Sequence, residues 1–331
     1  MRYIIIGAGA VGGTIGGRLF DAGHEVVLVA RGAHLAALRE RGLRLELPDR
    51  TLTLPVPVAD GPGTLRARPD DVLVLATKTQ DTASVLTEWD GYGSADGGPA
   101  VVCAQNGVEN ERLALRRFAD VHAMCVWLPC SYLEPGVVQA PCAPLTGILH
   151  LGRFPSGADG TTRRISADLL TSGFDAPVAE DVMAWKYAKL LSNLGNSLEA
   201  VAGPIGDGPV FDLYLRAREE GAAVLDAAGI PYVGAEEQAR VRGDRVEVQP
   251  VNGAVRGGGS SWQSLTRGTG SIEADYLNGE IVLLGRRHGV PTPVNEALRR
   301  AANSFARERR RPGDLTTDEL TALLGAGLPQ S

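Results

Sequence analysis

Near the start of the chain stands Tyr3-Ile4-Ile5-Ile6-Gly7-Ala8-Gly9-Ala10-Val11-Gly12, a short apolar run followed at once by the pattern G-x-G-x-x-G. The apolar run predicts a buried strand, and the residues after the glycines predict a helix. A second strand-like run, Glu25–Ala30, ends about twenty residues further on. Strand, glycine-rich turn, helix and strand together make a βαβ unit, which predicts a parallel sheet.

Further apolar runs extend this unit into a larger sheet. Asp71–Thr77 and Ala100–Ala104 predict two more buried strands, and the stretches 125–138 and 146–152 are rich in strand-forming residues. The pair Pro177–Val178 is a candidate for the last strand. We therefore predict an α/β fold for residues 1–181, with a Rossmann-type doubly wound parallel sheet.

The second half of the chain, residues 182–331, has the pattern of an all-helical C-terminal domain. Helices are predicted at Asp181–Val201, Gly208–Ala228, Gly270–His288 and Pro293–Arg309, and Asp181 is the expected N-cap of the first. The polar, glycine-rich segment Val241–Gly259 predicts a mobile surface loop. The apolar residues of the third helix serve either the core, which we favour, or the interface of a homodimer; they are Ile281, Leu283 and Leu284.

The composition excludes several classes of protein. With 331 residues, 44% hydrophobic and 22% charged, the chain is long enough for about two globular domains and is not a disordered or disulfide-stapled chain. A net charge of −6 without basic blocks does not suit a nucleic-acid binder. No apolar run approaches the roughly 18 residues that span a membrane. The four cysteines lack metal-site spacing, so we expect no metal and a soluble cytoplasmic protein with reduced thiols.

The glycine pattern itself predicts a dinucleotide site. Gly7 permits the tight turn, Gly9 lets the backbone approach a pyrophosphate, and Gly12 lets the helix pack closely on the sheet. The N–H groups at the helix N-terminus attract the phosphates. The alternative is a glycine-rich turn without a ligand. The predicted cofactor-binding residues of this loop are Gly7, Ala8, Gly9, Ala10, Val11 and Gly12.

Three residues that follow other predicted strands complete the nucleotide site. Arg31 stands after the second strand, where NAD sites usually carry a carboxylate, and a guanidinium there favours the 2′-phosphate of NADP(H). Lys78 and Asn106 follow the next two strands and can reach the cofactor or the substrate, since ligands of parallel sheets collect at the carboxyl ends of strands. Alternatively, Arg31 is merely an exposed arginine and Asn106-Gly107 merely a turn.

A polar stripe opens the helical half. Lys189, Asn193 and Asn196 are spaced i, i+4 and i+7, so on one helix they share a face of an otherwise apolar segment. A stripe of this kind is either a solvated face or a place for chemistry. Lys186, one turn before Lys189, is a rival for any catalytic role of the lysine.

The chain resembles the ketopantoate reductases (2-dehydropantoate 2-reductases) from residue 1 to about Asn295. The resemblance is carried by the G-x-G-x-x-G loop, by Asn106-Gly107, by Lys189-Leu190-x-x-Asn193 and by Ser271-Ile272-Glu273-Ala274-Asp275-Tyr276-Leu277-Asn278-Gly279. It implies a two-domain enzyme that binds NADPH on the Rossmann half and reduces the 2-oxo group of ketopantoate to D-pantoate in an interdomain cleft.

The resemblance also implies a role for individual residues. Lys189 matches the general acid, and Glu273 matches the carboxylate that binds the substrate hydroxyl. The residues that match substrate-binding groups are Asn193, Asn106, Asn196 and Ser261, and Lys78 matches a polar group at the nicotinamide end. The family's second helix asparagine falls at Ser197 here, which puts the role of Asn196 in doubt.

Three functions remain open on the sequence alone. The first is NADPH-dependent ketopantoate reduction in pantothenate biosynthesis. The second is a reductase of the same fold that acts on another branched 2-oxo acid. This alternative is suggested by the departure at Ser197 and by the segment Val241–Gly259. The third is a non-catalytic NADP-binding protein, which the presence of both Lys189 and Glu273 argues against.

Overall fold

A seven-stranded sheet forms the core of the first of two structural units in this computed structural model, which describes residues 1–94 and 98–325. The first unit comprises Met1–Lys186 together with Gly234–Arg256, and the second comprises Tyr187–Val233 and the chain from Gly257 onward. The division thus falls five residues after the predicted boundary at 181, and the segment 234–256 groups with the first unit.

The strands of the first unit are β1 (Arg2–Ile6), β2 (Glu25–Val29), β3 (Leu43–Glu46), β4 (Thr51–Leu54), β5 (Val58–Ala59), β6 (Asp71–Leu75), β7 (Ala100–Cys103), β8 (Val121–Trp127), β9 (Val137–Gln139), β10 (Cys142–Pro144), β11 (Ile148–Arg153) and β12 (Val246–Val248). Its helices are α1 (Ala10–Asp21), α2 (Gly32–Arg41), α3 (Thr82–Glu88), α4 (Asn110–Leu115), α5 (Gly160–Thr171) and α9 (Ala235–Arg242). Helix α6 (Val182–Asn193) begins in this unit and ends in the second.

The large sheet has the strand order β11-β8-β7-β6-β1-β2-β5. All neighbouring strands run parallel except β11, which is antiparallel to β8. The apolar β-branched and leucine-rich strands are buried on both faces, as expected for a parallel sheet covered by helices. The strand order changes direction at β1, because β2 and β5 lie on one side of it and the later strands β6, β7, β8 and β11 lie on the other. Strands β1, β2, β6 and β7 all end at the same edge of the sheet. The predicted doubly wound sheet is confirmed.

The described residues of the second unit are helical, as predicted. Beyond the end of α6 it contains α7 (Gly195–Ala202), α8 (Pro209–Ala227), α10 (Ser260–Thr266), α11 (Asn278–His288), α12 (Pro293–Glu308) and α13 (Thr317–Gly325), with a 3₁₀ helix at Glu273–Tyr276. Gly289 ends α11 with a left-handed backbone at φ 71°, as the His288-Gly289 sequence predicts. The backbone N–H of Ala184 donates to Oδ1 of Asp181 at 3.1 Å, so Asp181 caps α6.

Two of the predicted helices are interrupted. The stretch Asp181–Val201 divides at Leu194 into α6 and α7, and the stretch from Gly270 to His288 divides at Leu277 into a 3₁₀ helix and α11. Gly195 starts α7 where a Cβ would lie 2.9 Å from the ring of Tyr214, so glycine allows α8 to approach closely. Of the apolar residues on α11, Ile281 and Leu284 are buried and Leu283 is half exposed.

The prediction of a mobile loop at Val241–Gly259 is wrong for part of that segment. Its first two residues end α9, and β12 pairs antiparallel with β10, with Val246 opposite Pro144. Val246 is buried beside Cys142 and Ile148, and this burial gives the short strand its place. The candidate strand at Pro177–Val178 is a single parallel bridge between Val178 and Leu151.

Among the described residues, no helix combines the length and the apolarity that crossing a membrane requires.

Candidate functional site

The glycine-rich loop between β1 and α1 has the backbone that the sequence pattern predicts. Gly7 has φ +101°, a conformation that side chains rarely adopt, and a Cβ there would lie 2.8 Å from Thr77. A Cβ on Gly12 would lie 2.1 Å from the carbonyl oxygen of Gly7, so only glycine allows α1 to start this close to the loop. A Cβ on Gly9 meets no atom within 4 Å, and its backbone therefore faces open space.

The N-terminus of α1 suits an anion. Gly9 is its N-cap and has no side chain to satisfy the first N–H groups, and the first turn contains no acidic residue. These N–H groups and the positive end of the helix dipole together attract phosphate. The residues of the loop thus fit the pyrophosphate of a dinucleotide.

His34 contacts this loop through a hydrogen bond, and the sequence analysis did not predict it as a site residue. The backbone N–H of Gly136 donates to Nδ1 at 2.9 Å, so Nε2 carries the proton and donates to the carbonyl oxygen of Ala8 at 2.7 Å. Burial lowers the pKa of His34, and the hydrogen bond to Ala8 only partly offsets this, which keeps the ring neutral. The loop is therefore held from behind by a side chain on α2.

The sheet register brings the other predicted nucleotide residues to the same edge. Ile6 pairs with Val29 on one side and with Leu75 on the other, so the residues after β1, β2 and β6 emerge side by side. Arg31, at the N-cap of α2, has a side chain that is 67% exposed and forms an ion pair with Glu88 at the end of α3. Lys78 is half-buried at the start of a 3₁₀ helix after β6.

Asn106 lies after β7, in a loop held by hydrogen bonds. Its carbonyl oxygen accepts from Nδ2 of Asn110 at 3.0 Å, and its own side chain is half-buried. Nε2 of Gln105 donates to the carbonyl oxygen of Thr77 at 3.0 Å and to Oγ1 of Thr82 at 2.8 Å. These bonds fix the loops after β6 and β7 to each other and so fix Lys78 and Asn106 in one place.

Lys186, the rival to Lys189, is committed to a buried ion pair in the first unit. Its Nζ donates to Glu111, and to the carbonyl oxygen of Gln105 at 3.1 Å, and both side chains of the ion pair are almost fully buried. Burial, and secondarily the Glu111 carboxylate, raise the pKa of the neighbouring Cys103 thiol. The sequence analysis did not predict a role for Glu111.

The predicted substrate-side residues other than Asn106 lie in the second unit. Lys189 is half-buried on α6, and Asn193, one turn later, is buried with an Nδ2 that has no hydrogen-bond partner among the described residues. Asn196 follows the interruption at Leu194 and is half-buried on α7. The expectation that all three share one helix is therefore wrong at Asn196.

Ser197 is part of an interior network, so it does not stand in for an exposed amide. Its Oγ donates to Oδ1 of Asn278 at 2.6 Å, and Nδ2 of Asn278 donates to the carbonyl oxygen of Leu194 at 3.0 Å and to Asn295 at 3.0 Å. Asn278 thus satisfies the carbonyl that the interruption leaves between α6 and α7. The family departure at Ser197 is accommodated by packing.

Ser261 and Glu273 are both buried in the second unit. Ser261 lies in the first turn of α10, which packs on α7, and Glu273 begins the 3₁₀ helix. Just before α10, the backbone N–H of Gly259 donates to Oε2 of Glu199 at 3.0 Å. A carboxylate therefore lies beside the helix that carries Ser261, an arrangement that the sequence analysis did not anticipate.

One cluster of side chains in the described chain has the residue types of a metal site, but the guanidinium of Arg153 already lies against its carboxylates. Ligand atoms of Asp120, His122 and Asp159 lie within 4.8 Å of one another. Nη1 of Arg153 lies 2.7 Å from Asp159 and 3.4 Å from Asp120. Burial raises the pKa of Asp159, but hydrogen bonds from Thr162 and Arg153 outweigh it and lower the pKa to about 2. The cluster is an ion-pair network at the N-terminus of α5.

The parallel sheet with its glycine-rich loop is a Rossmann-type domain, and, together with the family matches below, it defines the class of protein, an NAD(P)-dependent oxidoreductase. Residues 3–155 match the family model described as ketopantoate reductase PanE/ApbA, and residues 181–305 match the model of the C-terminal part of the same family. The chain belongs to the ketopantoate reductase family.

Individual relatives agree with this assignment. The 2-dehydropantoate 2-reductase of Pyrococcus horikoshii is 26% identical over 312 residues, which are 90% of this chain and 95% of that protein. The crystal structure of a PanE/ApbA family ketopantoate reductase from Ralstonia eutropha JMP134 has a TM-score of 0.77 at 26% identity, covering 94% of this chain and 100% of that one. The ternary structure of D-mandelate dehydrogenase with NADH and anilino(oxo)acetate has a TM-score of 0.78 at 20% identity, covering 93% and 99%, and shows a shared fold.

Proposed function

We propose that the protein reduces the 2-oxo group of ketopantoate to D-pantoate with NADPH, as a step in pantothenate biosynthesis. The observation that carries this proposal is the alignment of a 2-dehydropantoate 2-reductase along nine-tenths of the chain, through both halves. The first unit would bind NADP(H), and the second would bind the substrate and supply the interface of a homodimer. The four free, buried cysteines suit the cytoplasm as the compartment.

Lys189 is the proposed general acid. Negative charge grows on the carbonyl oxygen during reduction, and an ammonium group both stabilises that charge and delivers the proton. Lysine suits the role better than arginine, because a guanidinium hardly ever gives up its proton. The position of Lys186 in the buried ion pair with Glu111 supports the choice of Lys189.

Glu273 and four polar residues are the proposed contacts of the substrate. Glu273 would accept a hydrogen bond from the substrate hydroxyl, and Ser261 would hold the substrate carboxylate. The unsatisfied Nδ2 of buried Asn193 supports a role as a donor to the substrate, since a buried donor without a partner is costly. Asn106 and Asn196 complete the proposed set.

The glycine-rich loop, Arg31, Lys78 and Asn106 are the proposed cofactor residues. When bound, the nicotinamide supplies the hydride, and the protein supplies orientation and electrostatics. Backbone N–H groups of the α1 N-terminus would hold the pyrophosphate, and the guanidinium of Arg31 would pair with the 2′-phosphate.

Arg31→Ala tests the assignment of NADP. We expect the variant to bind NADPH more weakly by about 1.5–3 kcal/mol, the cost of losing a hydrogen bond to a charged group, and to bind NADH almost unchanged. Dissociation constants of both cofactors are measured by titration calorimetry, and Arg39→Ala, on the same helix and paired with Asp60, is the matched control. An equal loss for NADPH and NADH would show that Arg31 does not contact the 2′-phosphate.

The substrate is tested by following the oxidation of NADPH with ketopantoate and with a panel of other 2-oxo acids. We expect kcat/KM for ketopantoate to exceed that of every other acid by at least about tenfold, a difference of about 1.4 kcal/mol in transition-state binding. Faster turnover of a different acid would overturn ketopantoate and keep the mechanism. Tight NADPH binding without turnover of any acid would identify a non-catalytic NADP-binding protein.

A second candidate is a reductase of the same fold for a different branched 2-oxo acid. The observations that favour it are the departure at Ser197, which turns into the interior, and the carboxylate of Glu199 beside the helix that carries Ser261. Ser197 and Glu199 both lie on α7, the helix that carries the proposed substrate residue Asn196, and both leave the nucleotide loop intact. The same panel of acids distinguishes the two candidates.

A further inference from the structure

We propose that Glu88 sets the preference between NADPH and NADH by competing with the 2′-phosphate for Arg31. The inference rests on the proposed function, because it takes Arg31 as the group that pairs with that phosphate. Glu88 is thus a specificity-determining residue that the sequence pattern alone does not reveal.

The geometry places Glu88 directly on the proposed phosphate-binding group. Arg31 and Glu88 are 57 residues apart in the chain, yet Nη2 of Arg31 donates to Oε2 of Glu88. Arg31 precedes α2 and Glu88 is the last residue of α3, and both helices start from the carboxyl edge of the sheet or close to it. Gly61 leaves room for the carboxylate, since a Cβ there would lie 2.9 Å from Oε1 of Glu88.

Both partners are accessible to a ligand. The side chain of Arg31 is 67% exposed and that of Glu88 is 34% exposed. An exposed ion pair of this kind contributes little to stability, because water screens it and both side chains must be held still. A phosphate can therefore separate the pair at small cost to the fold.

A second carboxylate, Asp60, lies one residue before Gly61, the glycine beside Glu88. Nη2 of Arg39 lies 3.3 Å from Asp60, so its charge is already balanced. Hydrogen bonds from the backbone N–H of Asp60 itself and from Arg39 lower the pKa of Asp60, so this second carboxylate stays charged. Of these two carboxylates, Glu88 is the one in direct contact with Arg31.

The two cofactors respond differently to this carboxylate. A phosphate monoester carries about 1.5–2 negative charges near neutral pH, so Glu88 repels the 2′-phosphate of NADPH and occupies a donor that it needs. The 2′-hydroxyl of NADH is neutral and can donate a hydrogen bond to a carboxylate, which is the interaction that acidic residues make in NAD sites. Glu88 thus penalises NADPH and leaves NADH unaffected or favoured.

Glu88→Gln tests the inference, because it removes the charge and keeps the shape. We expect NADPH and the fragment 2′,5′-ADP to bind about three- to tenfold more tightly, as the removal of one like charge at a partly exposed site predicts. NADH and 5′-AMP should change less than about twofold. The dissociation constants are measured by titration calorimetry at fixed low salt, because added salt weakens the effect.

Asp90→Asn is the matched control. Asp90 lies two residues after Glu88 and pairs with Arg117 at 2.6 Å, so its removal changes the net charge equally without touching Arg31. The double variant Arg31→Ala, Glu88→Gln completes a thermodynamic cycle, and in the Arg31→Ala background the effect of Glu88→Gln should shrink to less than about twofold.

Three results would overturn the inference and leave the proposed function standing. Unchanged or weaker binding of NADPH by Glu88→Gln would mean that Glu88 does not compete for Arg31. An equal gain in NADPH affinity in Asp90→Asn would show that the effect of Glu88→Gln comes from the change in net charge alone. A gain from Glu88→Gln that is undiminished in the Arg31→Ala background would show the same. If the unaltered protein bound neither dinucleotide, the proposed function would fall together with the inference, so the two failures are distinguishable.

Discussion

Replacement of Lys189 with alanine is expected to lower kcat by about 10³-fold or more. General acid catalysis contributes about 10²- to 10⁴-fold, and the ammonium also stabilises charge on the carbonyl oxygen as it develops. Both contributions are lost with the side chain. The residues that form the nucleotide loop lie in another structural unit, so binding of NADPH should remain within about twofold. Single-turnover reduction with saturating ketopantoate measures the chemical step directly.

Lys189→Arg is the control that separates charge from proton transfer. It keeps a positive charge at the position but hardly gives up its proton, so it should recover binding of the substrate without recovering kcat. An alanine variant that retains kcat within about tenfold of the unaltered enzyme would exclude Lys189 as the general acid.

Glu273→Gln should instead raise KM more than it lowers kcat, because the proposed role of Glu273 is to bind the substrate hydroxyl.

Lys186→Met is expected to lower the free energy of unfolding by about 3–5 kcal/mol, since it leaves the carboxylate of Glu111 buried without its partner. Lys186 is 3% exposed and Glu111 is fully buried, and Oε2 of Glu111 already lacks a hydrogen bond within the described chain. Nζ of Lys186 also satisfies the carbonyl oxygen of Gln105, which loses its donor. Urea unfolding followed by circular dichroism gives the midpoint and the slope.

The double variant Lys186→Met, Glu111→Leu is the informative comparison. Replacing both members of a buried ion pair with apolar residues of similar size is often neutral or stabilising, so the double variant should be more stable than Lys186→Met alone. Arg117→Met, which breaks the exposed pair with Asp90, should cost less than about 1 kcal/mol. Equal losses at Lys186 and Arg117 would mean that the buried pair does not stabilise the first unit.

The strands next to the glycine-rich loop were predictable because each is a compact apolar run. Strands β2, β6 and β7 lie within the predicted ranges, and β1 begins one residue before its predicted range, at Arg2. The helical character of the second unit follows from the 3.6-residue period. The hairpin of β3 and β4 was missed although Leu43-Arg44-Leu45-Glu46 alternates polar and apolar residues. Strand β12 is different, because its place depends on pairing with β10 about a hundred residues earlier.

The candidate site divides in the same way. The backbone of the loop Gly7–Gly12 could be predicted because glycine spacing is a local requirement of the backbone. The role of Arg31, inferred from its place after a strand, stays a prediction. His34 and Glu111 could not, because their roles arise from contacts with Gly136 and Lys186 across 102 and 75 residues of sequence. The interruption at Leu194 also has no clear local signal apart from Gly195.

Because residues 234–256 belong to the first unit, that unit is made of two separate stretches of the sequence. The chain crosses between the units after Lys186, after Val233 and after Arg256, so no single cut separates them. A fragment that stops at Lys186 keeps the seven-stranded sheet but loses β12, and the edge of β10 is then left without its pairing strand. Producing the first unit on its own therefore calls for a linker that joins Lys186 to Gly234 in place of residues 187–233, and for an end at Arg256.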